Sequence, residues 1–167
     1  VGESEPLINT EQFIDMLLDY PNVIAWSNGH THINTIVAHP RANGKGGFWE
    51  VTAASCIDYP QQQQLLEVVD NRDGTISIFA TTLDHMSPAT WTPGDFSQEG
   101  LASLSRELAS NDWTANPLMR LGSPLARNVE LLLPAPFDME TITDAALEKE
   151  IMARKARLVA NERAGAA

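Results

Sequence analysis

The stretch Asn22-Val-Ile-Ala-Trp-Ser-Asn-Gly-His-Thr-His-Ile-Asn34 carries the pattern on which the interpretation of the whole chain depends. Residues 23–26 form a short apolar run, which predicts a buried strand, and Asn28-Gly29 ends it because both residues tolerate positive φ. Side chains two residues apart in an extended segment point to one face, so we expect His30 and His32 to direct their imidazoles into the same volume. Their Cα atoms would lie roughly 6 to 7 Å apart, which suits one shared metal ion or two neighbouring ions.

The residues around this stretch predict a mixture of helices and strands. Residues 10–19 have apolar side chains at helical spacing, with Asn9 or Thr10 as the cap. Strands are predicted over residues 33–39 and 48–54, and a hairpin over residues 62–69 and 75–83 around Asp70-Asn-Arg-Asp-Gly74. Because no helix separates these strands, we expect them to pair antiparallel.

The character of the sequence changes after His85. A helix is predicted from Asp95 or Ser97 to residue 110, and a short strand over residues 128–133. A last helix is predicted from Thr141, where Asp144 completes a capping box, toward residue 161. Residues 3–6 and 163–167 are predicted to be frayed or disordered. Residues 86–167 are therefore interpreted as a loop- and helix-rich extension.

The four residues Gly29-His30-Thr31-His32 behind an apolar strand resemble the last metal-ligand block of the calcineurin-like metallophosphoesterases. The similarity covers residues 7–85 and is to a bacterial branch of that family. It includes Trp49-Glu-Val-Thr-Ala-Ala-Ser55, Asp58-Tyr-Pro-Gln-Gln62 and Leu66-Glu-Val-Val-Asp-Asn-Arg-Asp-Gly-Thr-Ile76. These enzymes hydrolyse phosphoesters at a centre of two metal ions.

The resemblance implies an α+β fold, in which residues 1–85 supply the mixed or antiparallel sheet portion of an αββα sandwich. It also implies that His30 ligates one divalent ion and His32 the other. Neutral imidazole donors suit Mn²⁺, Fe or Zn²⁺ better than Ca²⁺. Neither histidine would act as the general acid, a role that belongs in the family to a separate Gly-Asn-His block.

The remaining ligand motifs of the family are not found upstream of His30. These are an Asp-x-His, a Gly-Asp-x-x-Asp, the Gly-Asn-His block and one further histidine, and the 29 residues before His30 contain none of them. We therefore expect the chain to be the C-terminal part of a longer enzyme, whose missing N-terminal portion is its partner in the site. By itself the chain is expected to carry no catalytic residue, to bind metal weakly and to hydrolyse no phosphoester.

Other polar residues are candidates for supporting roles. Asn34 and Asp58 are expected to hydrogen-bond to the histidines and fix their tautomers, as the partners of metal-bound histidines do. His85, which follows Asp84 at the end of a predicted strand, is a weaker candidate for lining the cleft or contacting substrate. His39, before a proline at a strand end, is expected to lie on the surface.

Composition excludes some partners. A net charge of −11 argues against duplex nucleic acid, because the phosphate backbone attracts Lys and Arg and repels carboxylates. No apolar run of about 18 residues predicts a membrane span. Cys56 is the single cysteine, so no disulfide can form within the chain.

Three other interpretations remain open at the level of sequence. Asn28-Gly29 is also typical of a two-residue hairpin turn, which would leave exposed histidines without a special role. A His-x-His at a strand end also occurs in amidohydrolase-type barrels, although no histidine follows His85 to complete such a site. Finally, the chain could be a noncatalytic β-rich binding module whose histidines are incidental.

Overall fold

The computed structural model of this chain describes residues 9–113 and 116–165, so the predictions for residues 3–6 and 166–167 lie outside the described residues. The described helices are α1 (Thr10–Leu18), α2 (Gln98–Ser110) and α3 (Asp144–Gly165). The strands are β1 (Ala25–Asn28), β2 (Thr35–Pro40), β3 (Gly47–Thr52), β4 (Gln63–Asp70), β5 (Thr75–Leu83) and β6 (Val129–Pro134). Short 3₁₀ turns cover Pro117–Leu121, Pro124–Ala126 and Met139–Thr141. The chain divides into two compact units, one ending at Pro136 and one beginning at Phe137.

Helix α1 begins where the sequence predicts. The Asn9 side chain accepts a hydrogen bond from the backbone N–H of Gln12 at 3.0 Å, which satisfies one of the free donors at the helix start. The Phe13 ring contacts the Trp26 ring edge to face, with centroids 4.8 Å apart. Helix α1 therefore covers one face of β1.

The first sheet has the strand order β1-β3-β2. β2 and β3 pair antiparallel, as expected, whereas β1 and β3 pair parallel, so the expectation of antiparallel pairing is wrong for β1. The reason is that β3 lies between β1 and β2. The loop after β1 therefore does not close a two-residue hairpin at Asn28-Gly29, and that alternative is excluded.

Strand β1 lies two residues further along the chain than predicted. Val23 and Ile24 precede it, and its own residues are half-buried or exposed, so the expectation of a buried strand is wrong. β1 is at an edge of the three-stranded sheet, which explains why its residues keep contact with solvent.

The second sheet has the order β4-β5-β6, with both pairs antiparallel. The predicted hairpin of β4 and β5 is confirmed, and so is the short strand β6. One face of this sheet supplies most of the core, with Ile76, Ile78, Ala80, Leu131 and Leu133 at 1% to 6% exposure. The two sheets meet where β3 approaches β6, and there the Trp49 indole N–H donates to the carbonyl oxygen of Leu132 at 3.3 Å.

The opposite face of the second sheet is open and mixed: it carries apolar side chains together with the carboxylates of Glu67 and Glu130, which lie opposite Phe79 on the neighbouring strands. The register places Leu65, Val69, Phe79, Leu83 and Leu132 together on this face, where they are 37% to 56% exposed. We call these five residues the open face. A sheet in a folded protein normally buries its apolar face against another layer, and this face lacks such a layer in the part of the chain that the structure describes.

The first compact unit extends well beyond the expected boundary at residue 85. β6 pairs along β5, from Thr75 opposite Pro134 to Ala80 opposite Val129, and so ties a distant segment into the second sheet. The helix-rich character of residues 86–167 predicted by composition therefore does not correspond to a separate unit, since the compact unit ends at Pro136.

The cap of α3 also differs from the prediction. The hydroxyl of Thr143 accepts from the backbone N–H of Ala146 at 3.2 Å, whereas the hydroxyl of Thr141 donates to the carbonyl oxygen of Asp138. Thr141 is therefore not the cap, because it belongs to the preceding 3₁₀ turn. Helix α3 forms most of the second unit and continues to Gly165, so the predicted end near residue 161 and the predicted disorder of residues 163–165 are both wrong.

The described part of the chain has a mixed α+β fold with three helices and two small sheets. None of these helices combines the length and apolar character needed to cross a membrane.

One side chain fixes α1 against the first sheet. The Arg41 guanidinium donates to the carbonyl oxygens of Leu18 at 3.0 Å and Tyr20 at 2.7 Å, and also to those of Val23 and Gly47. The last turn of α1 carries no basic residue of its own, so Arg41 supplies the positive charge that favours a helix C-terminus.

We expect Arg41→Ala to lower the free energy of unfolding by about 2 to 4 kcal/mol, because it removes several charge-assisted hydrogen bonds at once. Urea denaturation followed by tryptophan fluorescence measures this change. Lys45→Ala, an exposed charge in the same loop, is the matched control and should stay within about 0.5 kcal/mol of the parent. Equal effects of the two substitutions would contradict this role for Arg41.

Candidate functional site

The histidines lie in an irregular loop between β1 and β2, and their backbone is left-handed. φ is 77° at His30 and 58° at His32. The expectation of an extended segment is therefore wrong, and the two-residue spacing does not direct both imidazoles to one face. Left-handed backbone costs an L-residue roughly 1 to 2 kcal/mol, and glycine would occupy it freely. Strain of this kind often persists where a side chain has a function.

Asn34 closes the same loop but does not contact the histidines as expected. Its side chain is 1% exposed, and its carbonyl oxygen accepts from the backbone N–H of Ala54 at 2.8 Å. The amide nitrogen donates to the side chain of Gln62 at 3.2 Å and to the carbonyl oxygen of Leu121 at 3.4 Å. All of its hydrogen-bonding groups are thus used in joining three segments, which leaves none for an imidazole.

His32 contacts Asp58, as the sequence led us to expect. The Nδ1 atom of His32 forms a short hydrogen bond with a carboxylate oxygen of Asp58. The side chains are 37% and 32% exposed, so the pair lies at the protein surface with part of each group covered. Because Nδ1 is engaged, Nε2 is the ring nitrogen of His32 that remains available to a ligand.

Asp58 is itself held from two sides. The backbone N–H of Asp58 donates to the hydroxyl of Ser55 at 3.3 Å. The backbone carbonyl oxygen of Asp58 accepts from the N–H of Gln61 at 2.7 Å. On the other side, a guanidinium nitrogen of Arg120 lies 3.3 Å from the same carboxylate oxygen that contacts His32. The Arg120 side chain is only 16% exposed, and it also lies 3.9 Å from a carboxylate oxygen of Asp112.

His30 occupies different surroundings. It is exposed and lines an open cleft of about 550 Å³, together with Trp26, Asn28, Glu50 and Thr52. His32 is not among the residues that line this cleft. The structure therefore does not bring the two imidazoles to the wall of one cavity.

Glu50 is the acidic residue of this cleft, and sequence reasoning missed it. Its carboxylate accepts from the side-chain amide of Asn28 at 2.8 Å and lies 2.8 Å from Nε2 of His39. His39 stacks on Phe48 with ring centroids 4.7 Å apart and is 13% exposed, so the expectation of a surface histidine is wrong. The parallel register of β1 and β3 brings Asn28 and Glu50 together, and no local pattern predicts that register.

His85 lies apart from both histidines of the loop. Its Nδ1 accepts from the backbone N–H of Ser87 at 3.2 Å, and its Nε2 is buried without a hydrogen-bond partner among the described residues. It lines a separate cavity of about 380 Å³ with Cys56 and Asp84. The structure therefore gives His85 no contact with the candidate metal ligands.

Arg106 stands beside Asp84 in a neighbouring cavity. Its guanidinium forms a short ion pair with one oxygen of Asp84, and the Gln62 amide donates to the other at 3.1 Å. Burial lowers the pKa of the Arg106 guanidinium from its usual value, and Tyr59 opposes that shift. The positive charge of Arg106 is thus paired with Asp84, although its Nε atom is buried without a hydrogen-bond partner among the described residues.

Neither known proteins nor the grouping of side chains in the described part of the chain identifies a metal site. No family model, curated protein or solved structure matches this chain. Within residues 9–113 and 116–165, no three or more His, Cys, Asp or Glu side chains come together in a group that could hold a metal ion. The site therefore provides a contact of His32 with Asp58, a charge contact of Asp58 with Arg120, and a cleft that His30 and Glu50 line.

We expect His30→Gly to be more stable to unfolding than His30→Ala by about 1 kcal/mol, because glycine relieves the left-handed strain whereas alanine keeps the Cβ atom. Both substitutions remove the imidazole, so the difference isolates the backbone term. Urea denaturation of the two variants measures it. If His30→Ala were the more stable variant, the backbone at this position would not be strained.

Proposed function

We propose that the chain is the C-terminal part of a metal-dependent phosphoesterase, in which His30 and His32 each donate a ring nitrogen to one ion of a two-metal centre. The remaining ligands and the general acid would come from polypeptide outside this chain. In the family that the sequence resembles, the two histidines of this block serve different ions. Because His30 and His32 do not line one cavity in this structure, the proposal rests on His32 and its contact with Asp58 more than on His30.

The observation that carries the proposal is the contact between His32 and Asp58. A metal-bound histidine almost always gives its other ring N–H to a carboxylate, carbonyl or water, and this fixes both the tautomer and the direction of the ring. Asp58 provides that carboxylate for Nδ1, so in the neutral ring the proton would lie on Nδ1 and the unshared electron pair on Nε2. The Arg120 guanidinium, 3.3 Å from Asp58, offsets part of the carboxylate charge, although the approaching nitrogen makes no hydrogen bond among the described residues.

The backbone of the loop supports the same proposal. Two left-handed residues, separated only by Thr31, cost the fold free energy that glycine would save. Gln61 and Arg72 also have left-handed backbone, so this strain supports a function for the imidazoles only together with the contact of His32 with Asp58.

The sheets support the presence of further polypeptide in the complete enzyme. An αββα sandwich covers the outer face of each sheet with helices, and α1 lies against β1 on one side. The open face of the second sheet lacks such a cover among the described residues. A further layer would bury apolar surface of Leu65, Phe79 and Leu132, which stabilises by roughly 25 cal/mol per Å². The carboxylates of Glu67 and Glu130, opposite Phe79, would need polar partners in that layer.

The proposed chemistry divides between the metal ions and the side chains that would bind them. When bound, divalent ions would supply Lewis acidity that acidifies water and neutralises charge on the phosphoryl oxygens. The chain's own residues would hold and orient the ions. His32 would donate the electron pair of Nε2 as a neutral imidazole, and Asp58 would accept the proton that His32 carries on Nδ1. His30 would be the second imidazole donor. Neither histidine would transfer a proton to the leaving group.

We expect the chain to bind Zn²⁺ weakly in a calorimetric titration, and His32→Ala to abolish the binding. Asp58→Asn should weaken it by about 10- to 100-fold, because the amide cannot accept the imidazole proton as the carboxylate does. Thr31→Ala is the matched control, since it alters the same loop without removing a nitrogen donor, and it should bind as the parent does. Equal binding by His32→Ala and the parent would overturn the proposed ligand.

The proposed enzyme activity is tested by reading the coding sequence upstream of Val1 and by reconstituting the enzyme from the two segments. We expect Asp-x-His and Gly-Asn-His motifs there, and we expect co-expression of that segment with this chain to hydrolyse a chromogenic phosphoester. His32→Ala should abolish the activity. Upstream sequence without these motifs, or efficient hydrolysis by this chain alone, would contradict the proposal.

A further inference from the structure

Helix α3 carries an apolar stripe that is exposed along its length. Leu147, Ile151 and Leu158 are 50%, 52% and 56% exposed. Together with Arg154 they follow a spacing of four, three and four residues, which is the spacing of a coiled-coil seam. A helix of 22 residues cannot bury such a stripe against itself, so the stripe favours a helical partner.

The charges beside the stripe are divided between the two halves of the helix. Glu148 and Glu150 flank it toward the N-terminal end, and Lys155 and Arg157 flank it toward the C-terminal end. Within the helix, Glu150 and Arg157 form an ion pair at 2.6 Å in which both side chains are about two-thirds exposed. Exposed pairs of this kind contribute little to stability, so they can exchange for contacts with another chain.

We propose that α3 binds α3 of a second copy of this chain in an antiparallel pair. In that arrangement, Leu147 lies opposite Leu158 of the second copy and Ile151 lies opposite Arg154. The flanking charges are then complementary on both sides, because Glu148 faces Lys155 and Glu150 faces Arg157 of the second copy. This pairing does not depend on the proposed phosphoesterase function.

Arg154 determines the orientation. A parallel pair in the same register would place the two Arg154 side chains beside each other in the seam, where like charges repel. The antiparallel pair instead places each Arg154 across from Ile151, whose apolar surface the aliphatic part of the arginine covers while the guanidinium stays in water. Antiparallel helices also oppose their dipoles. A polar residue at a seam position is a known determinant of register and orientation.

Sedimentation velocity of the full chain over a range of concentrations tests the pairing. We expect a concentration-dependent monomer–dimer equilibrium, which Glu148→Lys with Glu150→Lys should weaken at least tenfold. Lys155→Glu with Arg157→Glu should weaken it equally. Mixing the two double variants should restore dimers, since their charges become complementary. Circular dichroism of each variant confirms that α3 is still helical, and the exposed substitutions make this the expected result.

Disulfide cross-linking tests the orientation. In a Cys56→Ser background, a mixture of Leu147→Cys and Leu158→Cys chains should form the mixed cross-link, and each variant alone should cross-link little. A chain that stays monomeric at all concentrations would overturn the proposal. So would dimers that resist both charge reversals, or Leu147→Cys chains that cross-link mainly to each other.

Discussion

The buried amide of Asn34 is the constraint on which the candidate site depends. Its side-chain oxygen accepts from the backbone N–H of Ala54, just after β3. Its side-chain nitrogen donates to the side chain of Gln62 and to the carbonyl oxygen of Leu121. The backbone N–H of Asn34 adds a bond to the carbonyl oxygen of Arg120 at 3.2 Å. These bonds hold the histidine loop, the segment of Asp58 and the segment of Arg120 in one place, and so allow His32, Asp58 and Arg120 to meet. Loss of a fully satisfied buried amide is costly because its partners are left unpaired.

This arrangement explains why the two histidines have different environments. The left-handed turns at His30 and His32 separate the rings, so that one lies beside Glu50 in a cleft and the other against Asp58. An extended loop would have aligned them, as the sequence alone suggested. The account therefore rests on the chemistry of each ring's neighbours, and most firmly on the carboxylate that engages Nδ1 of His32.

Much of the fold could be predicted because it depends on local patterns. The Asn9 cap, the hairpin around Asp70 and Gly74, the Ser97 cap of α2 and the strand β6 follow from residues close in sequence. Asp58 was also found, because it belongs to the segment that resembles a known family. The parallel pairing of β1 was not predictable, since it joins strands with another strand between them in the chain. The Asn34 contact with Leu121 spans 87 residues, and no periodicity indicates such a contact.

The protonation of His32 tests the central claim most directly. A long-range ¹⁵N–¹H correlation spectrum of the full chain near neutral pH reports which ring nitrogen carries the proton. For the neutral ring we predict a proton on Nδ1, an unprotonated Nε2, and a change confined mainly to Nε2 when Zn²⁺ is added. A proton on Nε2, or an Nε2 resonance that Zn²⁺ leaves unchanged, would contradict the claim that Asp58 prepares His32 as a metal ligand.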